Sequence, residues 1–187
     1  ESRETGIGDA SVFARIEAVR WDRPGRTIRL APFAGFTSPT GKQGRTGDGS
    51  LDMFAGAVLT AATTDWVFDS QIEYVVNNKA KGFERGDEAS ADASLQLRLF
   101  PDRVSTVTGG FLFAVLETSV IHFEKNRLAG LTDANSGGTQ VLVSPGIQYA
   151  EKRWIAETAI RIPLVNDLRD GALEPDYSLI VSLRMNF

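Results

Sequence analysis

The sequence predicts an all-β fold, an antiparallel up-and-down transmembrane β-barrel, with about nine strands visible in its 187 residues. Three observations predict it. Segment after segment alternates apolar and polar side chains with a period of two, which describes a strand with one face in an apolar medium and the other against polar groups or water. The connections between segments alternate between short and long. No window approaches the ~20 apolar residues that a membrane helix needs, so any crossing of a bilayer has to be made by strands.

The first segment, residues 9–21, places Ala10, Val12, Ala14, Ile16 and Ala18 on one parity and Asp9, Ser11, Arg15 and Glu17 on the other. Trp21 breaks that parity, so it either points inward or follows a bulge. Pro24 and Gly25 build a tight turn at 22–26. The second segment, 27–37, sets Ile28, Leu30, Pro32, Ala34 and Phe36 against Thr27, Arg29 and Gly35. A glycine-rich connection, 38–50, leads to the third, 51–62, with Leu51, Met53, Ala55, Ala57 and Leu59 on one face. After a turn at 63–65 the fourth, 66–77, turns Trp66, Phe68, Ile72, Tyr74 and Val76 one way and Asp69, Gln71, Glu73 and Asn77 the other.

A polar loop, 78–90, precedes the fifth segment, 91–100, where Ala91, Ala93, Leu95, Leu97 and Leu99 alternate with Asp92, Ser94, Gln96 and Arg98. The sixth, 107–122, is apolar on both parities around Phe111, Leu112, Phe113 and Val115, so periodicity does not assign its faces; Gly109 and Gly110 mark a candidate bulge. A long loop, 123–138, follows. The seventh, 139–149, sets Val141, Val143, Pro145, Ile147 and Tyr149 against Gln140, Ser144 and Gln148. The eighth, 154–165, sets Trp154, Ala156, Ile160, Ile162 and Leu164 against Glu157 and Arg161. In the ninth, 176–187, Tyr177, Leu179, Val181, Leu183, Met185 and Phe187 are all apolar, and Ile180 alone interrupts the polar set between them.

A soluble β-sandwich or lipocalin-like barrel also alternates. Two features favour the membrane. Lys42, Lys79, Lys81, Lys125 and Lys152 all fall in connections and none on the polar parity of a segment. The segments also run close to the ~9–11 residues that cross a bilayer, longer than the ~5–6 of an ordinary globular strand. A net charge of −4 and the lack of a basic stripe exclude a nucleic-acid partner. With no cysteine there is no disulfide framework, thiolate catalysis or zinc–thiolate site.

The short connections are 22–26, 63–65, 101–105 and 150–153; the long polar ones are 38–50, 78–90, 123–138 and 166–175. Short periplasmic turns and longer extracellular loops give a barrel this rhythm. Trp21, Trp66 and Trp154 abut short turns, as an interfacial aromatic girdle requires. Nine is an odd number, whereas bacterial single-chain barrels are even. The expectation is therefore one barrel domain over residues 1–187 that lacks its N-terminal strands, the intact barrel having 10–12 strands by roughly this parity argument.

The last segment, ending on Phe187, resembles the C-terminal strand of bacterial outer-membrane β-barrels. That resemblance implies that Tyr177, Leu179, Val181, Leu183, Met185 and Phe187 are the signal read by the barrel-assembly machinery. It also implies a Gram-negative outer-membrane location, among lipid and lipopolysaccharide. Gly6-Ile7-Gly8-Asp9, Pro39-Thr40-Gly41 and Gly146-Ile147-Gln148-Tyr149 resemble the outer-membrane transporter family of the meta-pathway phenol degradation type. This second resemblance implies passive transport of small hydrophobic or aromatic molecules across the outer membrane. It supplies no catalytic motif, so neither enzymatic activity nor a cofactor is expected. The alternatives are a plugged structural barrel that docks a partner, and a soluble ligand-binding β-barrel.

With the polar parity inward, Arg15, Glu17, Arg29, Asp69, Glu73, Asp92, Arg98, Glu157, Arg161 and Arg184 line the lumen, joined by Asp9 and Asp52. Charges in a confined lumen need partners. The set therefore reads either as a cross-lumen salt-bridge network or as a polar conduit favouring cations and neutral solutes. His122, the single histidine, lies on the opposite parity from Ser119, so no local Ser-His pair forms and a rim histidine is the reading. Residues 133–137 have the spacing of a calcium-loop fragment but lack the downstream glutamate. Gly41, Gly44, Gly47 and Gly49 lack the Gly-Lys-Ser/Thr closure of a phosphate cradle. Pro145 and Pro163 mark bulges or weak ladder positions, either a lateral exit through the wall or a local irregularity.

Overall fold

The structure is a computed structural model. It describes residues 6–42, 46–47, 49–104, 109–169 and 176–185, so Phe187 lies outside the described residues. The strands are β1 (Ala10–Arg15), β2 (Val19–Arg23), β3 (Arg26–Ser38), β4 (Asp52–Thr63), β5 (Trp66–Val76), β6 (Lys79–Ala80) and β7 (Phe83–Glu84). They continue with β8 (Glu88–Phe100), β9 (Gly110–Phe123), β10 (Arg127–Leu128), β11 (Leu131–Thr132), β12 (Gly138–Glu151), β13 (Trp154–Leu168) and β14 (Ser178–Met185). All nine alternating segments form strands, as their periodicity requires.

The long strands make one antiparallel meander, in the order β1-β3-β4-β5-β8-β9-β12-β13-β14, with β2 continuing β1 along β3. Every neighbour is the next long strand in the chain, so each connection is a hairpin. Strand direction reverses at every step along this order, so the two edges, β1 and β14, run the same way.

The first segment is split by a bulge. Arg15 opposes Phe33 while Val19 opposes Leu30, so the β1–β2 side holds one extra residue. The Ile16 and Ala18 amides still donate to the Pro32 and Leu30 carbonyls, at 3.1 and 2.9 Å. The extra residue flips the parity and brings Trp21 opposite Ile28, back on the apolar face. Of the two readings of Trp21, the structure has the bulge. A second register shift lies in β13, where Leu142 opposes Pro163 but Val141 opposes Val165, leaving Leu164 unopposed. Pro163 thus sits beside a bulge. Its other side is an edge among the described residues, since the β13–β14 ladder ends at Arg161 and Ser178. Pro145 opposes Leu116 in regular register with β9, but the β12–β13 ladder skips it between Val143 and Gly146, a weak position on that side.

The apolar parity points away from the protein. Leu95 and Leu97 are 37% and 47% exposed, Val181 and Leu183 75% and 66%. Among the described residues the buried hydrophobic side chains are Val115 and Ala159, and no large side chain is fully buried. Register places both on the polar parity, where Val115 pairs with Gln96 and Ala159 with Gly146.

Two connections read as polar loops are instead built. Residues 78–90 and 123–138 carry the β6–β7 and β10–β11 hairpins, joined through β7 and β10 into a second, four-stranded sheet. Each closes on a two-residue turn with both φ positive: Lys81 46° and Gly82 89°, Ala129 51° and Gly130 84°. Positive φ at both central positions is the type I′ geometry that matches strand twist. Lys and Ala are unusual at its first position, so these turns carry little signature in the residues themselves. Lys79 accordingly opens a short strand and does not lie in an irregular connection.

Candidate functional site

The candidate site is the face opposite the exposed apolar rows. Register assembles it rung by rung. Val58, Gln71, Asp92, Ser119 and Leu142 lie side by side across β4, β5, β8, β9 and β12. The next rung is Thr60, Asp69, Ser94, Glu117 and Ser144. Both, Thr60 apart, line a cavity of about 460 Å³ that Arg161 of β13 also lines. In a flat sheet Val58 and Arg161 would stand roughly 24 Å apart, five spacings of about 4.8 Å. Sharing one cavity, they show that the sheet curls around this face.

Carboxylates predominate here. Thr60 donates to Asp69 at 2.5 Å, Ser119 to Asp92 at 2.5 Å, and the Gln148 amide to Glu157 at 2.7 Å. Each bond joins neighbouring strands and holds an acceptor in place without neutralising it. Glu117 lies in the field of Glu157, Asp92 and Arg161, and Glu73 in that of Glu88 and Asp92. The middle of the face is therefore acidic, with Arg161 as the cation lining the cavity.

The remaining expected lumen residues separate into other groups. Glu17 and Arg29 approach to 3.7 Å at the short-turn end of β2 and β3, where Asp22 also meets Arg29 at 3.8 Å and Arg20 at 2.6 Å. Arg98 has the inward parity, yet its guanidinium turns to the short connections. Its Nε donates to the Thr64 carbonyl at 3.0 Å, and its terminal nitrogens to the Pro101 carbonyl and the Asp65 carboxylate. At 8% side-chain exposure it is a pin between two turns. Arg15, opposite Phe33, and Arg184, opposite Ile155, are exposed near the sheet's edges. No ion pair among the described residues spans the face: the pairs lie within one segment or join adjacent strands or neighbouring turns.

Register also settles the sixth segment. Phe111, Phe113, Val115, Glu117, Ser119, Ile121 and Phe123 share the polar face, and His122 is on the apolar one. There the His122 Nδ1 lies 2.9 Å from the Thr139 hydroxyl. Sequence reasoning missed the inward aromatics. Phe33 opposes Gly56, and Gly35 opposes Phe54, with the two rings 6.4 Å apart. A Cβ on Gly56 would meet the Phe33 ring at 2.5 Å, and one on Gly35 the Phe54 ring at 2.6 Å, so each ring occupies the space a glycine leaves. Phe13, opposite Gly35, extends the cluster, and Phe111 and Phe113 stack at 6.3 Å near the other end. Only strand register exposes these pairs. No group of His, Cys, Asp and Glu fit to hold a metal occurs among the described residues, and Asp133 caps its own turn by accepting from the Asn135 amide at 2.9 Å.

The fold and face define a class: an antiparallel β-meander, apolar on the outside and polar and acidic within. Residues 1–156 match the family described as "Putative MetA-pathway of phenol degradation", and the chain belongs to that family. No curated protein and no solved structure matches it.

Proposed function

We propose that this chain forms the wall of an outer-membrane β-barrel that passes small hydrophobic or aromatic molecules passively across the membrane. One observation carries the reading: the alternating rows of large aliphatic side chains stand exposed on the outer face, and no large side chain is fully buried among the described residues. A water-soluble domain of this size buries most of the surface its unfolded chain exposes, around large apolar side chains. Here the surface needs an apolar solvent to be stable, and lipid supplies one. The family's link to phenol degradation supports an aromatic solute. The curled polar face, with aromatic patches among its carboxylates, suits a small uncharged molecule better than an anion.

Because β1 and β14 run the same way, closing the wall with an antiparallel seam, as in even-stranded bacterial barrels, needs an odd number of further strands between them. Copies inserted in one orientation all present the same direction at both edges, so a second copy does not supply that strand.

The test is flux. The protein is extracted with detergent, its strands counted in a structure, and phenol uptake measured in vesicles carrying it. Uptake above that of empty vesicles is the expected result. Membrane insertion with a sealed lumen would instead make the chain a structural barrel, and recovery in the aqueous fraction without detergent would end the membrane reading altogether.

A further inference from the structure

The small sheet of β6, β7, β10 and β11 reverses the polarity of the wall it extends. In the main sheet the apolar rows are outside. In the small sheet Ala80, Phe83, Leu128 and Leu131 make one apolar row by register, and Lys79, Glu84, Arg127 and Thr132 the opposite, polar row. The cavities tell which row faces which way. Phe83 shares a cavity of about 430 Å³ with Phe123 and Leu168, both on the polar, inner parity of the main sheet. Arg127 and Thr132 share a different one with His122, Thr139 and Asp167, on the outer parity, at the strand ends where Phe123 and Gly138 also border it. Apolar residues thus continue the inner face beyond the wall, over the mouth.

These apolar residues are not consumed by packing: Phe83 is 45% exposed, Leu128 64% and Leu131 76%. Their support is rigid. The Gly86 amide donates to Asn126 Oδ1 at 2.9 Å, the Asn126 amide to the Ser136 hydroxyl at 2.8 Å, and the Ser136 hydroxyl to the Asp133 carbonyl at 2.8 Å. The hairpin tips are tied by the Ala129 amide on the Gly82 carbonyl, at 2.7 Å, and the Arg127–Glu84 pair at 2.9 Å. The Gly86 and Asn126 amides and the Ser136 hydroxyl are thus spent on their neighbours, and the cavity sets the Phe83, Phe123 and Leu168 side chains beside the polar groups of Glu124, Asn135, Arg85 and Arg169.

We infer that this is a capture site at the mouth for a monocyclic aromatic molecule bearing a hydrogen-bond acceptor, held between Phe83, Phe123 and Leu168. The inference rests on the transport reading for its purpose, though not for its geometry. Size agrees, since a cavity of about 150 Å³ already admits benzene.

The test uses the full chain in phospholipid vesicles, irradiated with 4-azidophenol with and without excess phenol, and the labelled peptides mapped. The expected result is label on the Phe83, Phe123 and Leu168 peptides that phenol competes away. The Phe83→Ser variant lowers that label about tenfold, which is what losing one aromatic burial is worth. Leu168→Ser, which leaves the Phe83 ring in place, serves if that variant does not insert, and also reduces the label. Label that phenol does not displace, or an unchanged yield in the variants, overturns the site. Phenol uptake by the same vesicles separates the two ideas: competed label without uptake ends transport and leaves the site, whereas uptake without competed label does the reverse.

Discussion

Two glycines and one arginine show how single side chains shape this wall. A Cβ at Gly56 would lie 2.2 Å from the Ile72 carbonyl oxygen and 2.5 Å from the Phe33 ring. Gly56→Ala is therefore expected to destabilise by about 1–3 kcal/mol, read as a lower urea midpoint for unfolding from vesicles. Gly82 provides the control: nothing lies within 4 Å of its added Cβ, but its φ is +89°. Gly82→Ala should cost only the left-handed backbone term, about 1–2 kcal/mol, and should loosen the hairpin without disturbing the long strands. Arg98 holds two turns by three acceptors at once. Arg98→Ala should cost roughly 2–3 kcal/mol, and Arg98→Lys should recover little of it, because an ammonium does not reproduce the planar fork. The parity of Arg98 was legible in the sequence. Its role was not, because a long side chain can leave the face its Cα assigns and reach a turn distant in sequence.

At the scale of the strand, the alternation in β14 makes a sharp contrast. Val181 pairs with Thr158 on the exposed apolar parity, Ser182 with Glu157 on the polar one. If lipid covers the apolar row, Val181→Arg should cost about 2–4 kcal/mol at mid-depth, and Ser182→Arg, one residue away, much less. Equal costs would mean that the two faces do not differ in their contact with lipid. The bulge after Arg15 makes a second contrast. With Trp66 and Trp154 replaced by Phe, Trp21 fluorescence should be quenched by brominated lipid, since the extra residue returns Trp21 to the row of Ile28. Deleting Ala18 should remove that extra residue and weaken the quenching. Strand positions were readable because period-two alternation survives wherever the two faces meet different media. The bulges left only traces, a misplaced Trp21 and an in-strand Pro163. The paired hairpins of the second sheet left almost none, because two-residue strands are too short to show a period.

Across the whole molecule, the all-β antiparallel meander followed from period alone, the faces followed except in the sixth segment, and the site followed only partly. Asp69, Asp92 and Arg161 line one cavity, and Glu157 pairs with Gln148 on the same parity. Glu117 joins them unannounced, from a segment apolar on both parities, because its face is fixed by its neighbours' register and not by its own pattern. The aromatic patches inside were hidden for the same reason. The largest consequence of the assembled sheet is its inverted solvation, apolar outside and polar within, and a direct measurement reaches it. The chain has no cysteine, so single cysteines at positions 179 to 184 can be spin-labelled without background, in protein reconstituted into vesicles. Oxygen, which concentrates in lipid, should relax labels at 179, 181 and 183 most strongly, and a water-soluble nickel chelate those at 182 and 184. The reverse pattern, or two reagents that show no alternation, would contradict a membrane-facing apolar surface.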